Sequence, residues 1–462
     1  MLFPDLGEAV MNALFLSRVQ FALTSGFHYI YPPLSIGLGL FLVIIEGMYI
    51  KTKNPFYKKM AQFWTKLFAL TFALGVATGL VQLFGFGTNW ATYSRFVGDV
   101  FGSALAAEGI FAFFLEAGFL GLMLFGWERV SAKLHYLATL CVAIGAHFSA
   151  VWIVVANSWM HTPAGFRIVG EGLNSKAVVT DFWQMVFNPS AVDRLIHVVL
   201  GCWLTGIFLV LSISAYYMLK KKHDPFAKMG MKIGLYLAAV VLVLQLISAD
   251  SSAKVVAKYQ PSKLAAMEGI FVTEKATPMT LLGWIDGKNH QVRGIKIPGL
   301  LSFLAHGDVG KEVTGLDKIE QENWPPLNPV FQAYHTMIYM WVLMAFSVGV
   351  ALFFWSKRRL EKKPWVLKLL IVSVLFPQVA NQVGWMTAEI GRQPWIVYNV
   401  LRTVQGVSRS IDTGQVVMSL IMFAAIYLLL FGLFLFLLDR KIKHGPEQIQ
   451  KPDEPLYRNP FA

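Results

Sequence analysis

Long apolar runs with almost no charge constrain this chain more than any other feature of its sequence. Residues 67–87 and 416–438, for example, contain no Asp, Glu, Lys or Arg. About 20 such residues form a helix that crosses the roughly 30 Å hydrocarbon core of a bilayer. The charged fraction is only 15%, against roughly 25% in soluble domains. The sequence therefore predicts an all-α integral membrane protein that lies in a lipid bilayer.

The apolar runs predict nine membrane spans. Their expected positions are 12–49, 60–86, 98–126, 132–157, 190–219, 230–249, 328–356, 364–388 and 414–438. The first run is too long for a straight crossing, and Pro32-Pro33 is expected to kink it or to mark an entry segment.

Basic residues cluster in the loops after spans 1, 5, 7 and 9. They are Lys51, Lys53, Lys58, Lys59, Lys220, Lys221, Lys222, Lys228, Lys357, Arg358, Arg359, Lys362, Lys363, Arg440, Lys441 and Lys443. Because cytoplasmic loops are enriched in Lys and Arg, the N-terminus is predicted outside and the C-terminus inside. Topology thus explains the net charge of +13 without a nucleic-acid partner.

No basic segment or cleavage site precedes the first run, so no cleavable signal peptide is expected.

The spans divide the chain into four segments. Residues 1–249 hold the first six helices, 250–327 form a long external loop, 328–443 hold the last three helices, and 444–462 form a polar tail that is predicted to be disordered. A loop as long as 250–327 is usually functional. Cys141 and Cys202 fall inside apolar runs and are expected to be inert.

Ionisable side chains inside the spans are the first functional candidates, because unpaired polar groups are costly in lipid. Among them we single out His28, Glu46, Glu108, Glu116, His147, His197, His335, Glu389 and Arg392. A hydrogen bond between helices explains any one of them. The presence of several such histidines and carboxylates together favours a functional role over a purely structural one.

Two of these positions suggest a haem. His197 and Met337 begin spans 5 and 7 on the same predicted side, and an imidazole with a thioether gives a six-coordinate haem suited to electron transfer. The alternative for Met337 is ordinary packing. His28 is a candidate ligand for a haem with one open face. For His147 and His335 we expect hydrogen bonds or contacts with haem propionates.

The carboxylates suggest proton transfer. Glu108 and Glu116 lie eight residues apart, which in an α-helix is about 80° around the axis and about 12 Å along it. This spacing favours two stations on a proton path, although a bond to a neighbouring helix is the alternative. Glu389 and Arg392 lie one turn apart, and we expect a buried ion pair rather than a solvated one.

Six strings, in collinear order, resemble subunit I of cytochrome bd-type quinol oxidases. They are SRVQFALTSGFHYIYPPL (17–34), FGTNW (86–90), AAEGIFAFFLE (106–116), VANSWM (155–160), SKLAAMEG (262–269) and GWMTAEIGRQPW (384–395). The resemblance implies a respiratory enzyme of the bacterial or archaeal cytoplasmic membrane. It would oxidise a membrane quinol and reduce dioxygen to water, generating a proton gradient without pumping.

The resemblance also implies the cofactors and their ligands. His197 and Met337 match the axial ligands of a low-spin haem b. His28 and Glu389 match ligands of the two high-spin haems, a haem b and a haem d, without an assignment of each to one haem. A third haem b in place of haem d is also compatible with the resemblance.

Further site residues carry over from the same strings. Trp385 matches an aromatic side chain between haems, and Arg392 a partner of haem carboxylates. Glu108 and Glu116 match carboxylates near the high-spin haems. Lys263 and Glu268 match residues implicated in quinol oxidation.

The sequence departs from the family pattern in three places. Its external loop is short, as in the subclass often called cyanide-insensitive. Gln382 stands where some members carry Glu, and His335 stands where others carry Arg.

Family members pair with a second subunit of similar fold and sometimes with a small single-span subunit.

Two other functions use the same residues. One is a family haem protein that lacks oxidase turnover. The other is a proton-coupled secondary transporter. Transporters often show broken helices in two related halves, whereas here only span 1 carries a Pro pair.

Overall fold

The computed structural model describes residues 7–287 and 289–447, and they form a helical bundle. Nine helical segments in these two ranges are long and apolar enough to cross a membrane, which confirms the all-α transmembrane prediction. They are Ala13–Thr52, Pro55–Thr88, Gly98–Phe125, Ala132–His161, Ala191–Leu219, Asp224–Tyr259, Leu327–Ser356, Pro364–Ile390 and Thr413–His444.

The individual α-helices are α1 (Gly7–His28), α2 (Tyr31–Thr52), α3 (Pro55–Thr88), α4 (Ala91–Phe96), α5 (Gly98–Ala107), α6 (Phe114–Phe125), α7 (Ala132–His161), α8 (Phe182–Val186), α9 (Ala191–Leu219), α10 (Asp224–Tyr259), α11 (Pro261–Glu268), α12 (Leu300–His306), α13 (Leu327–Ser356), α14 (Pro364–Val372), α15 (Leu375–Ile390), α16 (Thr403–Gly406) and α17 (Thr413–His444).

Short strands pair in four antiparallel two-stranded sheets, β1 with β2, β3 with β6, β4 with β5 and β7 with β8. Their bounds are β1 (Phe166–Val169), β2 (Lys176–Val179), β3 (Glu274–Lys275), β4 (Met279–Asp286), β5 (Gln291–Ile297), β6 (Glu312–Val313), β7 (Trp395–Val397) and β8 (Leu401–Arg402). Four of them, β3 to β6, lie with α11 and α12 between α10 and α13, so the long loop is folded. We call the end of the bundle with residues 260–326 the loop end, and the opposite end, with its Lys-rich loops, the basic end.

The first membrane segment is broken, as the sequence predicted. α1 ends at His28 and α2 begins at Tyr31. Pro32 and Pro33 lie in the first turn of α2, where a missing N–H removes no bond of the helix. The break leaves His28 at a helix end inside the bundle.

The third span is not a regular α-helix. Glu108–Phe113 forms a π-helical segment between α5 and α6. The α-helical geometry that the sequence analysis assumed between Glu108 and Glu116 is therefore wrong, because a π turn closes i→i+5 hydrogen bonds and rotates the following residues. Such segments often occur at functional sites.

The predicted disorder of the tail is wrong for its first residues. α17 ends at His444, and Glu447 forms ion pairs with Lys59 (3.0 Å) and Lys66 (2.9 Å) of α3. Two lysines about one and three turns into α3 thus hold the chain after α17 against the bundle. Residues 448–462 lie outside the described part of the chain.

The closest backbone approach that we find in the bundle joins α2 to α9. A Cβ atom on Gly37 would lie 2.4 Å from the carbonyl oxygen of Cys202, and a Cβ atom on Gly206 would lie 2.3 Å from the carbonyl carbon of Gly37. Small residues allow membrane helices to pack this closely. The two glycines therefore set the distance between α2 and the helix that carries His197.

We expect Gly206→Ala to destabilise the bundle by about 1–3 kcal/mol, because the methyl group has no space without backbone movement. The detergent-solubilised protein is heated, and the measurement is the temperature at which half of the monodisperse protein is lost. Gly432→Ala is the matched control, since its Cβ atom would meet nothing within 4 Å. Equal midpoints for the two variants would contradict the packing argument.

Candidate active site

A buried charged cluster lies where α7 and α15 end at the loop end. Glu389 near the end of α15 accepts hydrogen bonds from Asn157 Nδ2 (2.9 Å) and His161 Nε2 (3.3 Å) of α7, and its other oxygen pairs with Arg392. His161 is fully buried and the Arg392 side chain is 4% exposed. The predicted ion pair is thus present and buried, and it has partners from two helices.

The cluster extends into α9 and α11. Lys263 Nζ lies 2.8 Å from His161 Nδ1 and 2.6 Å from Gln260 Oε1, and Arg194 donates a hydrogen bond to Asn157. Because Lys263 donates to Nδ1, the His161 ring carries its proton on Nε2 and donates it to Glu389. One imidazole therefore connects the Lys263 amine to the Glu389 carboxylate.

Positive charge exceeds negative charge in this cluster. Arg194 and Arg392 face the one carboxylate of Glu389, while burial and the Arg194 guanidinium hold the pKa of the Lys263 amine well below its usual range. Arg392 Nε and Nη1 are buried, and the described residues give them no hydrogen-bond partner. Buried guanidinium groups need anionic partners, so the cluster fits a ligand with carboxylate groups, such as a haem with its propionates.

His28 has the hydrogen bonding of a metal-binding imidazole. Its Nδ1 lies 2.9 Å from Thr78 Oγ1, and that hydroxyl donates its own proton to the Leu74 carbonyl (2.7 Å). Nδ1 must therefore be the donor, and Nε2 keeps its lone pair. A bond of this kind orients a ligating histidine and fixes its tautomer. The ring packs on Gly79, where a Cβ atom would lie 3.1 Å from Cε1.

His197 and Met337 lie on helices that share a neighbour. α15 packs against both α9 and α13, and Gly384 of α15 makes room for the Met337 sulfur, since a Cβ atom there would lie 2.9 Å from it. The Gln245 amide nitrogen is 3.2 Å from each nitrogen of the His197 ring. For His197 to bind iron this amide must move, and its oxygen is buried without a partner among the described residues.

The remaining predicted residues of the last helices lie near the cluster but do not touch it. Trp385 is half-buried, and its ring lies 6.3 Å from that of Phe21, which also contacts Phe86 and Trp90. Gln382 donates a hydrogen bond to the Gly26 carbonyl (2.7 Å), next to the end of α1. Both residues thus connect α15 to the segment that carries His28.

The two carboxylates of the third span lie apart from the charged cluster. Glu108 accepts a hydrogen bond from Ser149 of α7 (2.6 Å), at the first residue of the π-helical segment. Glu116 is buried in α6. A half-buried and a buried carboxyl group on one span can hold protons along the bundle.

Two other histidine candidates have both ring nitrogens satisfied by protein. His147 donates from Nδ1 to the Ala143 carbonyl (2.7 Å) and accepts from Trp203 (2.8 Å). His335 contacts the carbonyls of Phe331 (2.8 Å) and Thr280 (2.7 Å).

Glu46 forms a separate buried pair toward the basic end. Its carboxylate lies 2.5 Å from His135 Nδ1 and 2.6 Å from Thr139 Oγ1, and His135 Nε2 lies 3.1 Å from the Met123 carbonyl. Both nitrogens of His135 face oxygen atoms of the protein. The pair joins α2, α6 and α7 and has no open position for a ligand.

Glu268 ends α11 on the side away from Lys263. It is 1% exposed, and both its oxygens are buried without a hydrogen bond of normal geometry among the described residues. Burial raises the pKa of Glu268 to about 7, because the nearby Tyr334 hydroxyl and Thr280 backbone, which lower it, offset burial only in part. Glu268 can therefore exchange a proton near neutral pH.

Sequence reasoning missed His161, Asn157 and Arg194. His161 and Asn157 lie in the VANSWMH string at the end of α7, and Arg194 lies one turn before His197. The signal that could have found them is their position, since all three are polar residues at span ends on the side of Glu389.

Comparisons with known proteins agree with this architecture. A family model described as "Cytochrome bd terminal oxidase subunit I" matches residues 16–446. The cytochrome bd ubiquinol oxidase subunit 1 of Bacillus subtilis is 38% identical over 98% of this chain and 98% of its own length. The cytochrome bd-II ubiquinol oxidase subunit 1 of Escherichia coli is 34% identical over 94% and 97%. The bd oxidase structure from Geobacillus thermodenitrificans superposes with a TM-score of 0.87 at 31% identity, covering 94% of this chain and 99% of that one.

We expect the Glu268 carboxyl group to lose its proton as the pH rises through about 7. Because its pKa is raised, the protonated form persists at acidic and neutral pH, and the buried charge that forms above this range destabilises the fold. The measurement is the carboxylic-acid C=O band in pH-difference infrared spectra. Glu268→Gln should remove the band, whereas Glu312→Gln, at an exposed site in β6, should not. A band unchanged by Glu268→Gln would disprove this assignment.

Proposed function

The chain belongs to the family of cytochrome bd terminal oxidase subunit I, and from this premise we propose that it is the haem-bearing subunit of an oxidase that uses membrane quinol to reduce dioxygen to water. As a multi-pass protein of the bacterial cytoplasmic membrane, it is part of a respiratory terminal oxidase. The observation that carries the proposal is the buried cluster at the loop end, in which cations outnumber carboxylates and two guanidinium nitrogens have no hydrogen-bond partner among the described residues.

Four residues are proposed as haem-iron ligands. His197 and Met337 would hold a low-spin haem b, and His28 and Glu389 would hold the two high-spin haems, a haem b and a haem d or third haem b. The free Nε2 of His28 and the glycine beside Met337 support this. When bound, the haems would transfer electrons from quinol to dioxygen.

Arg392 and Trp385 would surround these groups. The unpaired nitrogens of Arg392 would bind propionates, and its third nitrogen holds Glu389 in place. Trp385, in contact with Phe21, would fill the space between macrocycles.

Quinol is proposed to react at the loop end, near α11. Glu268, which titrates near pH 7, would accept a proton from the quinol and release it on this side. Lys263 would act from the opposite side of α11 through His161, which contacts Glu389. The two residues therefore have different roles, one in proton transfer and one in holding the charged cluster.

Protons for dioxygen reduction would enter from the basic end. Glu116 and Glu108 lie on the third span, and the Ser149 hydroxyl orients Glu108. Proton release at one end and uptake from the other would build a gradient across the membrane without a pump.

Subclass and partners are also proposed. The external loop lies between Tyr259, where α10 ends, and Leu327, where α13 begins, and this short length supports the short-loop, cyanide-insensitive-like subclass. A second subunit of similar fold, with or without a small single-span subunit, would complete the complex.

The test of this function is a reduced-minus-oxidised visible spectrum of the purified complex, with and without carbon monoxide. We expect b-type bands and a component that binds carbon monoxide, with a far-red chlorin band if haem d is present. Met337→Leu should convert the low-spin haem to a high-spin form, because the thioether ligand is lost. Met344→Leu, a buried residue on the same helix, is the matched control.

Three outcomes separate the possibilities. Haem bands with quinol-driven oxygen uptake would support the oxidase. Haem bands without uptake would indicate a family haem protein that lacks turnover. A folded complex without any haem band would disprove the proposal and favour a transporter.

Proton delivery gives a separate prediction. Glu108→Gln keeps the size of the side chain and a bond to Ser149 but cannot carry a proton, so quinol-driven oxygen uptake should fall by roughly 10²-fold. Ser149→Ala should have a smaller effect, because the carboxyl group remains. Haem spectra of both variants should match the unmodified complex. Unchanged uptake in Glu108→Gln would remove Glu108 from the proton path.

A further inference from the structure

The β4–β5 hairpin lies along the side of a membrane-spanning helix. Four polar side chains on one face of α13, spaced by four, three and four residues, donate hydrogen bonds to carbonyl groups of β4. The bonds are Asn328 Nδ2 to Ile285 (2.7 Å), Gln332 Nε2 to Gly283 (2.9 Å), His335 Nε2 to Thr280 (2.7 Å) and Tyr339 Oη to Leu281 (2.5 Å). The strand therefore follows α13 for about three helical turns.

These hydrogen bonds meet a requirement that backbone carbonyl groups have in lipid but not in water. The edge of a two-stranded sheet leaves backbone carbonyls unpaired, and water normally satisfies them. Unpaired backbone groups do not occur against lipid, because no water is present there to satisfy them. Here the edge of β4 is bonded instead by side chains of a helix that is itself apolar enough to span the membrane.

The position of these bonds along α13 gives their depth. Lys357 and Arg358 follow the end of α13 and mark the basic membrane surface. At 1.5 Å per residue, Tyr339 lies about 27 Å and His335 about 33 Å from Lys357, on either side of the roughly 30 Å width of a hydrocarbon core. The deep end of the hairpin thus meets the boundary between acyl chains and headgroups at the loop end.

The outer face of the hairpin changes in polarity along this depth. Its three cross-strand pairs, from the deep end upward, are Leu282–Ile295, Trp284–Arg293 and Asp286–Gln291. At the depth given by α13, the apolar pair would lie at the hydrocarbon boundary, the indole and the guanidinium at headgroup level, and the polar pair nearest water. Trp and basic residues are typical of membrane interfaces.

The outer face has no cover within the described residues, whereas the inner face is packed at Ile285 and Val292. Leu282 is 52%, Trp284 60% and Ile295 61% exposed, while Ile285 on the inner side is 1% exposed. Val292, also on the inner side, packs on Gly269, next to Glu268.

We propose that the outer face of the β4–β5 hairpin is embedded in the headgroup layer of the leaflet at the loop end. Leu282 and Ile295 contact acyl chains there, and Arg293 lies beside lipid phosphates. The hairpin then stands between the bilayer and the buried Glu268. This lipid contact rests on the depth and polarity of the hairpin and does not depend on quinol oxidation.

The test uses spin labels on the whole complex in nanodiscs of phosphatidylcholine and phosphatidylglycerol. Cys141 and Cys202 are first replaced by Ala, and single cysteines are then introduced as Leu282→Cys or Ile295→Cys. Power saturation compares collisions with oxygen, which concentrates in lipid, and with a nickel chelate, which stays in water. We expect oxygen to dominate at both positions.

Two matched controls come from exposed positions of the same loop. Asn289→Cys, in the turn between β4 and β5, and Lys318→Cys, outside the hairpin, should both favour the nickel chelate. Nickel access at 282 and 295 equal to that at 289 would show that the face lies in water and overturn the proposal. Exclusion of both reagents at 282 and 295 would show that a protein segment covers the face, which also overturns it. The visible spectrum of each variant verifies that the labelled complex is intact.

Discussion

The compensation of the Glu389 carboxylate is the interaction on which the loop end of this protein depends. Moving an ionised carboxylate out of water costs several kcal/mol unless partners replace its hydration, and here they come from α7 and from the turn after α15. Lys263 and Arg194 then connect α11 and α9 to the same group. Four parts of the chain, distant in sequence, are thereby held at one carboxylate, and the buried guanidinium of Arg392 keeps a capacity for further anions.

The structure places three carboxyl groups of the candidate proton path toward different ends of the bundle. Glu268 lies at the loop end, behind the β4–β5 hairpin, whereas Glu116 and Glu108 lie along the third span and approach the bundle interior from the basic end. If protons are released on one side and taken up on the other, no continuous chain of ionisable residues has to cross the whole membrane. Under the proposed function, this separation is what allows a gradient to form without a pump.

The nine spans could be predicted from hydropathy, because length and apolar character are local properties of the sequence. The Glu389–Arg392 pair was also predictable, since their spacing of three residues lies within one helical turn. The π-helical segment was not, because spacing was converted to geometry with α-helical values. His161 and the Glu46–His135 pair were missed as partners because they join residues far apart in the chain, and short strands such as β4 carry no long pattern.

Hydrogen-bond geometry separates histidines that the sequence presents as equivalent. His147 uses both nitrogens, one as donor and one as acceptor, and His335 faces a carbonyl oxygen with each. At His28 the Thr78 hydroxyl has already committed its proton to a carbonyl, so Nδ1 must donate and Nε2 is left as a base. A residue type alone therefore identifies a candidate ligand, whereas the partner of its second nitrogen decides whether the first can bind a metal. By this criterion the Nε2 atom of His28 is available to bind a metal ion, whereas His197 would bind one only after the Gln245 amide turns away.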